Sequence, residues 1–356
     1  QTSASESSGS FFDWKMLIQF CAASAPGVRS VRNAVRLPGF WFKTRFAPGP
    51  MESGARPPHT MDESPSMYYT SSLRVGRLLA LLLLAVTLCL AQSLPPGLEE
   101  RIDRLVSTRM SEQRIPGMTV AVGIGDRPIW SRGYGFADLE NFVPATERSR
   151  YRLASISKPI TAVALLELVE AGKAGLDDDV RRYVPEFTEK QWPVTLRQLL
   201  SHLGGVRGYN GTESVTTVHY ANVRDGLAIF DADPLAHQPG SKYLYSSYGF
   251  NLAGAAAEVI AGKPFRQLLK DSVFTPAGMS STRDDDSFVI IPNRVRGYRK
   301  TDAGEVLNCE LADTSSKVPG GGLISTAADV ARFGRAVMDG ALLRPETRTL
   351  MWTPQH

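Results

Sequence analysis

Residues 151–172, with the sequence YRLASISKPITAVALLELVEAG, carry the strongest structural signal of the chain. Residues 160–171 are a run of helix-forming side chains, and Gly172 follows at the position where helices commonly end. The residues before this run form a loop that contains Ser155 and Lys158. We therefore predict a helix whose start carries a serine and a lysine, next to backbone N–H groups and a dipole that favour negative charge.

The spacing of Ser155 and Lys158 is suited to catalysis. Residues three apart on a helix lie on one face, so the Lys158 ammonium can reach the Ser155 hydroxyl. A serine hydroxyl is a poor nucleophile at neutral pH and needs such a partner. The alternative is structural, because Ser-x-x-Lys is frequent by chance and Ser155 or Ser157 can simply cap the helix.

Upstream of this stretch the pattern changes from helix to strand. Residues 98–110 have a helical spacing of apolar side chains. Residues 118–124 and 128–134 alternate as two strands, and Gly125-Asp126 between them supplies a hairpin turn. A sheet is therefore expected early in the chain.

Downstream of residue 172 the pattern is mainly helical. Further helices are predicted at residues 196–202, 248–260, 265–274 and 327–338, the last of them capped by Ser325. Strands followed by helices predict a mixed α/β fold of the α+β type, in which a helical lobe packs against a mostly antiparallel sheet.

A second candidate motif is the sequence YLYSSYG at residues 243–249, just before the next strong helix. A phenol beside an ammonium has its ionised form favoured, so Tyr245 could carry protons together with Lys158 if the fold brings them together. The alternative is an aromatic cluster at a loop edge, with Tyr245 half-buried and its hydroxyl in water.

The order and context of these segments resemble the serine beta-lactamase-like family, which includes class C beta-lactamases, D-alanyl-D-alanine carboxypeptidases, penicillin-binding proteins and related esterases. The similarity runs from about residue 115 to residue 354. It rests on the Ser-x-x-Lys motif at 155–158, LSHLGG at 200–205, YSS at 245–247 and GGLIST at 321–326. Shorter phrases, such as YVPEF at 183–187, are similar to a branch of the family found in animal mitochondria and in bacteria.

The resemblance implies a beta-lactamase/transpeptidase-like fold and acyl transfer without a cofactor. Ser155 would attack a carbonyl, Lys158 would accept or orient its proton, and Tyr245 would serve the leaving group and the hydrolytic water; which group is the base stays open. The Ser155 N–H would be one oxyanion donor. The implied partner is a small peptide, ester or beta-lactam-like substrate. The alternative is a non-catalytic scaffold or ligand sensor on the same fold.

The chain departs from the family pattern at two places. The second motif usually reads Tyr-x-Asn, and here the third position is Ser247, a candidate substrate-binding residue with one hydroxyl instead of an amide. This change favours a peptide or ester over a beta-lactam. The third motif, Lys or His followed by Thr or Ser and Gly, does not occur before His356. We therefore expect a C-terminally truncated sequence that is inactive and poorly folded by itself.

Composition excludes several other functions. Residues 1–91 hold 9 of the 40 Lys and Arg and 5 of the 36 Asp and Glu, which leaves 31 of each sign in the remainder, so nothing favours nucleic acid as a partner. Only Cys309 of the three cysteines follows residue 91, so neither an internal disulfide nor a cysteine zinc site is expected there. No histidine pair has metal-ligand spacing, and we predict no metal. Residues 177–179 and 284–286, both Asp-Asp-Asp, are expected in solvated turns.

The N-terminal part predicts targeting rather than a domain. We expect residues 1–66 to be an unstructured N-terminal extension, with the alternative that they are upstream sequence that is not translated. Residues 67–91 resemble a signal peptide, with Arg74 and Arg77 before an apolar run of about 13 residues, too short to span a bilayer. We expect export to a periplasm or exterior, membrane contact only through this segment, and a truncated hydrolase domain at 95–356. The basic composition of residues 15–51 keeps the mitochondrion as the alternative.

Overall fold

The structure is a computed structural model that describes residues 94–125 and 129–355. The N-terminal extension and signal peptide predicted at residues 1–91 lie outside the described residues. Of the predicted hairpin turn, Gly125 is described and Asp126 is not. Within the described part, no helix has both the length and the apolar character needed to cross a membrane.

The described chain begins with a helix and a β-hairpin. Helix α1 spans Leu98–Gln113 and ends at Arg114, whose left-handed backbone (φ 53°) turns the chain. Strands β1 (Gly117–Val122) and β2 (Trp130–Asp138) then pair in antiparallel register, and the short strand β3 (Val143–Pro144) pairs with the other edge of β2. The hairpin predicted from alternating side chains is therefore confirmed.

The rest of the described chain is mostly helical. In order, its elements are β4 (Tyr151–Arg152), α2 (Ser157–Glu170), α3 (Leu196–Leu200), α4 (Ser247–Ala261), α5 (Phe265–Leu269), β5 (Arg283–Asp284), β6 (Tyr298–Lys300), β7 (Val306–Asn308), α6 (Val318–Gly321), β8 (Leu323–Ser325), α7 (Ala327–Met338) and α8 (Pro345–Trp352). Short 3₁₀ turns lie between several of them, and a π-helical turn follows α5.

Helices α2 and α4 form the centre of the core. Both are apolar around most of their circumference, which is the pattern of a helix enclosed by other elements. Their buried side chains belong to one continuous hydrophobic cluster that also contains residues of α5, β8 and α7. Gly254 of α4 permits a close approach, because a Cβ atom there would lie 2.2 Å from Cγ of Pro319. The packing of α4 thus places the segment around Pro319 beside α2.

A small antiparallel sheet fixes the start of α2. Strand β8 lies between β4 and β5, and the Leu153 N–H continues the pairing by donating to the carbonyl of Leu323 at 2.8 Å. Buried Ser157 adds a second link, since its Oγ accepts from the Leu323 N–H at 3.2 Å. Strand β8 therefore holds the loop before α2 from one side.

Two local predictions were wrong. The cap of α7 is Thr326, whose side chain accepts from Asp329 N–H, because β8 extends through Ser325 and orients that residue towards Thr282. The acidic run at 284–286 is not fully solvated: Asp285 is only 4% exposed and accepts from Nε of Arg152 at 2.6 Å. Ion pairing to a distant arginine compensates for its burial.

Candidate active site

Ser155 lies in a 3₁₀ turn, Ala154–Ile156, between β4 and α2. Ala154 has a left-handed backbone (φ 47°), which is unusual for a residue with a side chain. The bend leaves Ser155 exposed at the entrance to α2. Because the first N–H groups of a helix have no acceptor within the helix, the Ser155 N–H is suited to bind a substrate oxyanion.

Three oxygen atoms hold the side chain of Lys158, which is fully buried in the first turn of α2. Its Nζ donates to Oγ of Ser155 at 3.1 Å, to Oγ of Ser247 at 3.0 Å and to the carbonyl of Gly320 at 2.6 Å. All three acceptors are uncharged. Burial therefore lowers the pKa of Lys158 to about 7, because an ammonium removed from water loses a proton more easily.

Tyr245 completes the predicted group. Its hydroxyl donates to Oγ of Ser155 at 2.6 Å, and Nζ of Lys158 lies 4.8 Å from the centre of its ring. The Tyr245 side chain is 42% exposed, so it lies at the surface side of the serine, whereas Lys158 lies beneath it. The structure thus brings together Ser155, Lys158 and Tyr245 from two segments about 90 residues apart.

Ser247, predicted to bind substrate, is the first residue of α4. It is 6% exposed, and its hydroxyl accepts from Lys158. In this position its most direct role is to hold the lysine, and little of its surface is open to a ligand.

The segment around Gly320 completes the site, and the sequence predicted no role for it there. The carbonyl of Gly320 accepts from Lys158, and the Gly320 N–H donates to Oδ1 of Asn251 at 3.1 Å. Asn251 also donates to the carbonyl of Ser316, and Thr161 of α2 donates to the carbonyl of Pro319, both at 2.9 Å. The one available signal was Asn251, a polar residue within the apolar run of α4.

Gly320 lies in the helical turn α6. A Cβ atom at Gly320 would come within 2.7 Å of the carbonyl oxygen of Ser247. Only glycine therefore allows this backbone to reach Lys158 without displacing α4.

No cluster of three or more His, Cys, Asp or Glu side chains with suitable geometry occurs among residues 94–125 and 129–355. A cavity of about 800 Å³ lies at a different place, between β2 and α7, and none of the four predicted site residues lines it. The chemistry of the site described above depends on hydroxyl, amine and phenol groups.

Comparison with known proteins gives consistent matches. A sequence model of the family described as Beta-lactamase matches residues 102–356. The mitochondrial serine beta-lactamase-like protein LACTB of Homo sapiens is 31% identical over an alignment covering 67% of this chain and 59% of that protein. The putative penicillin-binding protein PbpX of Bacillus subtilis is 28% identical, covering 71% of this chain and 62% of its own length. The chain thus spans about three fifths of the length of these relatives.

Solved structures with the same architecture include two at about one quarter sequence identity. EstCE1, described as a hydrolase with promiscuous acyltransferase activity, has a TM-score of 0.62 and 25% identity over 71% of this chain and 76% of its own. A penicillin-binding protein from Bacillus halodurans has a TM-score of 0.59 and 26% identity, covering 70% of this chain and 77% of its own.

Proposed function

The chain belongs to the beta-lactamase family of serine hydrolases, and on this premise we propose that it forms an acyl-enzyme on Ser155 with a small peptide or ester. Its fold is of the beta-lactamase/transpeptidase type, as the sequence predicted. The observation that carries the proposal is that Oγ of Ser155 accepts hydrogen bonds from both Lys158 and Tyr245.

In the proposed acylation step, Oγ of Ser155 bonds to the substrate carbonyl carbon while its proton moves to Lys158. A pKa of about 7 leaves a substantial neutral fraction of Lys158 at physiological pH, and a neutral amine can accept that proton. The Ser155 N–H supports the oxyanion. The carbon–leaving-group bond then breaks, and Tyr245 protonates the departing atom.

Deacylation uses the same side chains, with their proton-transfer roles reversed. A water molecule attacks the acyl carbon and gives its proton to the Tyr245 phenolate left by acylation, and Oγ of Ser155 leaves and recovers a proton from the Lys158 ammonium. This step consumes one water molecule, releases the carboxylic acid and regenerates Ser155, and it needs no metal ion or redox partner. No cofactor is part of the proposal.

Ser247 supports the proposed substrate class. A hydroxyl held by Lys158 offers no side-chain amide to a ligand, which favours an ester or peptide over a beta-lactam. The description of EstCE1 as a hydrolase with acyltransferase activity supports acyl chemistry on this fold. Cell-wall peptide is the natural candidate among peptides.

Export is the proposed location, because residues 67–91 have the three parts of a signal peptide. The mitochondrion is the alternative, and the mitochondrial naming of the mammalian relatives favours it. Reporter fusions to residues 1–95, carried through fractionation, distinguish the two.

The proposed function is tested with the full chain, a serine-reactive fluorophosphonate and a series of esters and peptides. We expect a covalent adduct on Ser155 by mass spectrometry, and loss of both adduct and hydrolysis in Ser155→Ala. Ser241→Ala is the matched control, because the exposed Ser241 hydroxyl donates its hydrogen bond to the carbonyl of Gln238, three residues before it, and to no residue of the site. Labelling and hydrolysis that survive in Ser155→Ala contradict the proposal. Labelling without turnover favours a ligand sensor. The absence of both labelling and turnover favours a non-catalytic scaffold.

A further inference from the structure

We propose that His202 is a positioning residue for Tyr245, which it holds against Ser155. This inference rests on the proposed function, because it concerns the group that would serve the leaving group. His202 makes no hydrogen bond to Ser155, so its proposed effect on the reaction passes through the phenol of Tyr245.

The backbone on both sides of Tyr245 is tied to His202. The N–H of Leu244, the residue before Tyr245, donates to the His202 carbonyl at 2.9 Å. The N–H of Ser246, the residue after it, donates to Nδ1 of the His202 ring at 3.1 Å. One histidine thus fixes the tyrosine segment at two points, and one of the two depends on the side chain.

The imidazole also supports the phenol ring itself. The His202 and Tyr245 ring centres are 4.4 Å apart with 36° between the planes, and Tyr243 and Phe250 pack against the same imidazole. Tyr245 is 42% exposed and has Lys158 against one part of its ring, whereas the His202 imidazole that stacks on it is buried. A buried wall behind an exposed ring determines where the Tyr245 hydroxyl points.

The backbone of His202 is strained, which suggests that its side chain does more than fill space. Its φ of 61° lies in the left-handed region that favours glycine or asparagine. Its Nδ1 accepts a hydrogen bond, so the proton of the neutral ring is on Nε2. Burial and the nearby Lys158 lower the pKa of His202 to about 4, which keeps that neutral form at physiological pH.

The test compares His202→Gly with His202→Asn in the full chain. Both residues tolerate the left-handed backbone, but only Asn retains an acceptor, Oδ1, where Nδ1 receives the Ser246 N–H. His237→Asn is the matched control, because His237 hydrogen-bonds only the neighbouring Gln238 carbonyl and does not contact Tyr245. Hydrolysis is measured with an alkyl ester and a p-nitrophenyl ester of the same acid.

A mispositioned Tyr245 slows departure of poor leaving groups selectively. We expect His202→Gly to lower kcat/KM about 100-fold for the alkyl ester but only about 5-fold for the p-nitrophenyl ester, whose anion leaves without a proton. His202→Asn should recover about 10-fold of the alkyl-ester loss. In a Tyr245→Phe background the His202→Gly change should have almost no further effect.

The proposal is overturned if His202→Gly lowers kcat/KM equally for both esters, or if it causes the same loss in the Tyr245→Phe background. His202 would then be a structural residue. Crystal structures of the variants decide independently of activity. We expect the 2.6 Å contact between Tyr245 and Ser155 to be lost in His202→Gly and kept in His202→Asn. If Ser155→Ala hydrolyses esters like the wild type, the proposed function fails, whereas this distance still tests the positioning role.

Discussion

Lys158 is a buried amine whose three hydrogen-bond acceptors are all uncharged. Such a cradle satisfies the ammonium hydrogens without supplying a countercharge, so the amine gives up its proton readily. The same side chain therefore serves as a structural donor when charged and as a candidate base when neutral.

The pH dependence of hydrolysis follows from this amine. Because the pKa of Lys158 is lowered to about 7 and the neutral form accepts the Ser155 proton, kcat/KM for an ester should rise with pH and reach half of its plateau near pH 7. The measurement is a pH–rate profile from pH 5 to 9. Lys158→Arg, which stays charged, should remove the rise and most of the activity. A flat wild-type profile would assign the base to another group.

Removal of the Tyr245 hydroxyl should affect catalysis much more than stability. Its hydroxyl hydrogen-bonds Ser155 and its ring is partly exposed, so Tyr245→Phe should lower kcat by about 100-fold or more while shifting the free energy of unfolding by less than about 1 kcal/mol. Ester kinetics and urea unfolding of the same preparation measure both effects. Parallel losses of activity and stability would show that the phenol mainly maintains the fold.

At the scale of elements, the contact of α4 with the Pro319–Gly320 segment connects the core to the site. Gly254 leaves room for the Pro319 ring, and Gly320 leaves room for the carbonyl of Ser247. The side-chain amide of Asn251 hydrogen-bonds the Gly320 N–H through its oxygen and the Ser316 carbonyl through its nitrogen. The carbonyl that receives Lys158 is thus positioned by helix packing and by a buried side-chain amide.

Gly254→Ala should disturb both the core and the site. The added methyl group would lie 2.2 Å from Cγ of Pro319, so we expect a loss of about 1–3 kcal/mol in the free energy of unfolding, together with reduced hydrolysis as the Gly320 carbonyl moves from Lys158. Urea unfolding and ester kinetics measure the two effects.

Gly334→Ala in α7 is the matched control. Apart from its own helix backbone and chain neighbours, no atom lies within 4 Å of the position that a Cβ atom at Gly334 would take, so this change should stabilise the protein slightly through helix propensity. If both alanine variants behave alike, the close contact at Gly254 is not the cause of the loss.

The sequence predicted the elements whose signals are local. Helix α2, the hairpin and most of α4 follow from periodicity, and Ser155 and Lys158 meet because three residues separate them. Tyr245 was proposed from its chemistry in the motif at 243–249 and then from the resemblance, and in the structure its hydroxyl donates to Oγ of Ser155.

The remaining features depend on tertiary contacts that no local pattern encodes. Gly320 meets Lys158 across 162 residues, and Asp285 is buried because Arg152, 133 residues away, pairs with it. Thr326 rather than Ser325 caps α7 because β8 takes Ser325 into its pairing with β4. Strand pairing and ion pairing thus overrode the nearest sequence signals.

At the scale of the whole molecule, the site reduces the stability of the core that surrounds it. The unfolded chain holds Lys158 at an ordinary lysine pKa near 10.5, whereas the folded chain lowers this pKa to about 7. Between these values the unfolded state binds more protons, so folding becomes more favourable as pH rises, and the full penalty is present below pH 7.

Comparison of wild type with Lys158→Met isolates this effect. We expect the free energy of unfolding of the wild type to gain about 2 kcal/mol relative to Lys158→Met between pH 7 and pH 9, measured by urea unfolding. Other titrating groups are common to both proteins and cancel in the difference. Stability curves that stay parallel over this range would mean that Lys158 is not desolvated in the folded state.

The small sheet of β4, β8 and β5 also determines when the proposed nucleophile is assembled during synthesis. Ser155 and Lys158 leave the ribosome long before Gly320 and β8, and at about 5–20 residues per second the interval is on the order of 10 to 30 s. Throughout that time the loop that carries Ser155 lacks its support from β8, and Lys158 lacks the Gly320 carbonyl as an acceptor. The arrangement that would prepare Ser155 for acylation by a substrate is therefore completed only once these later segments have emerged.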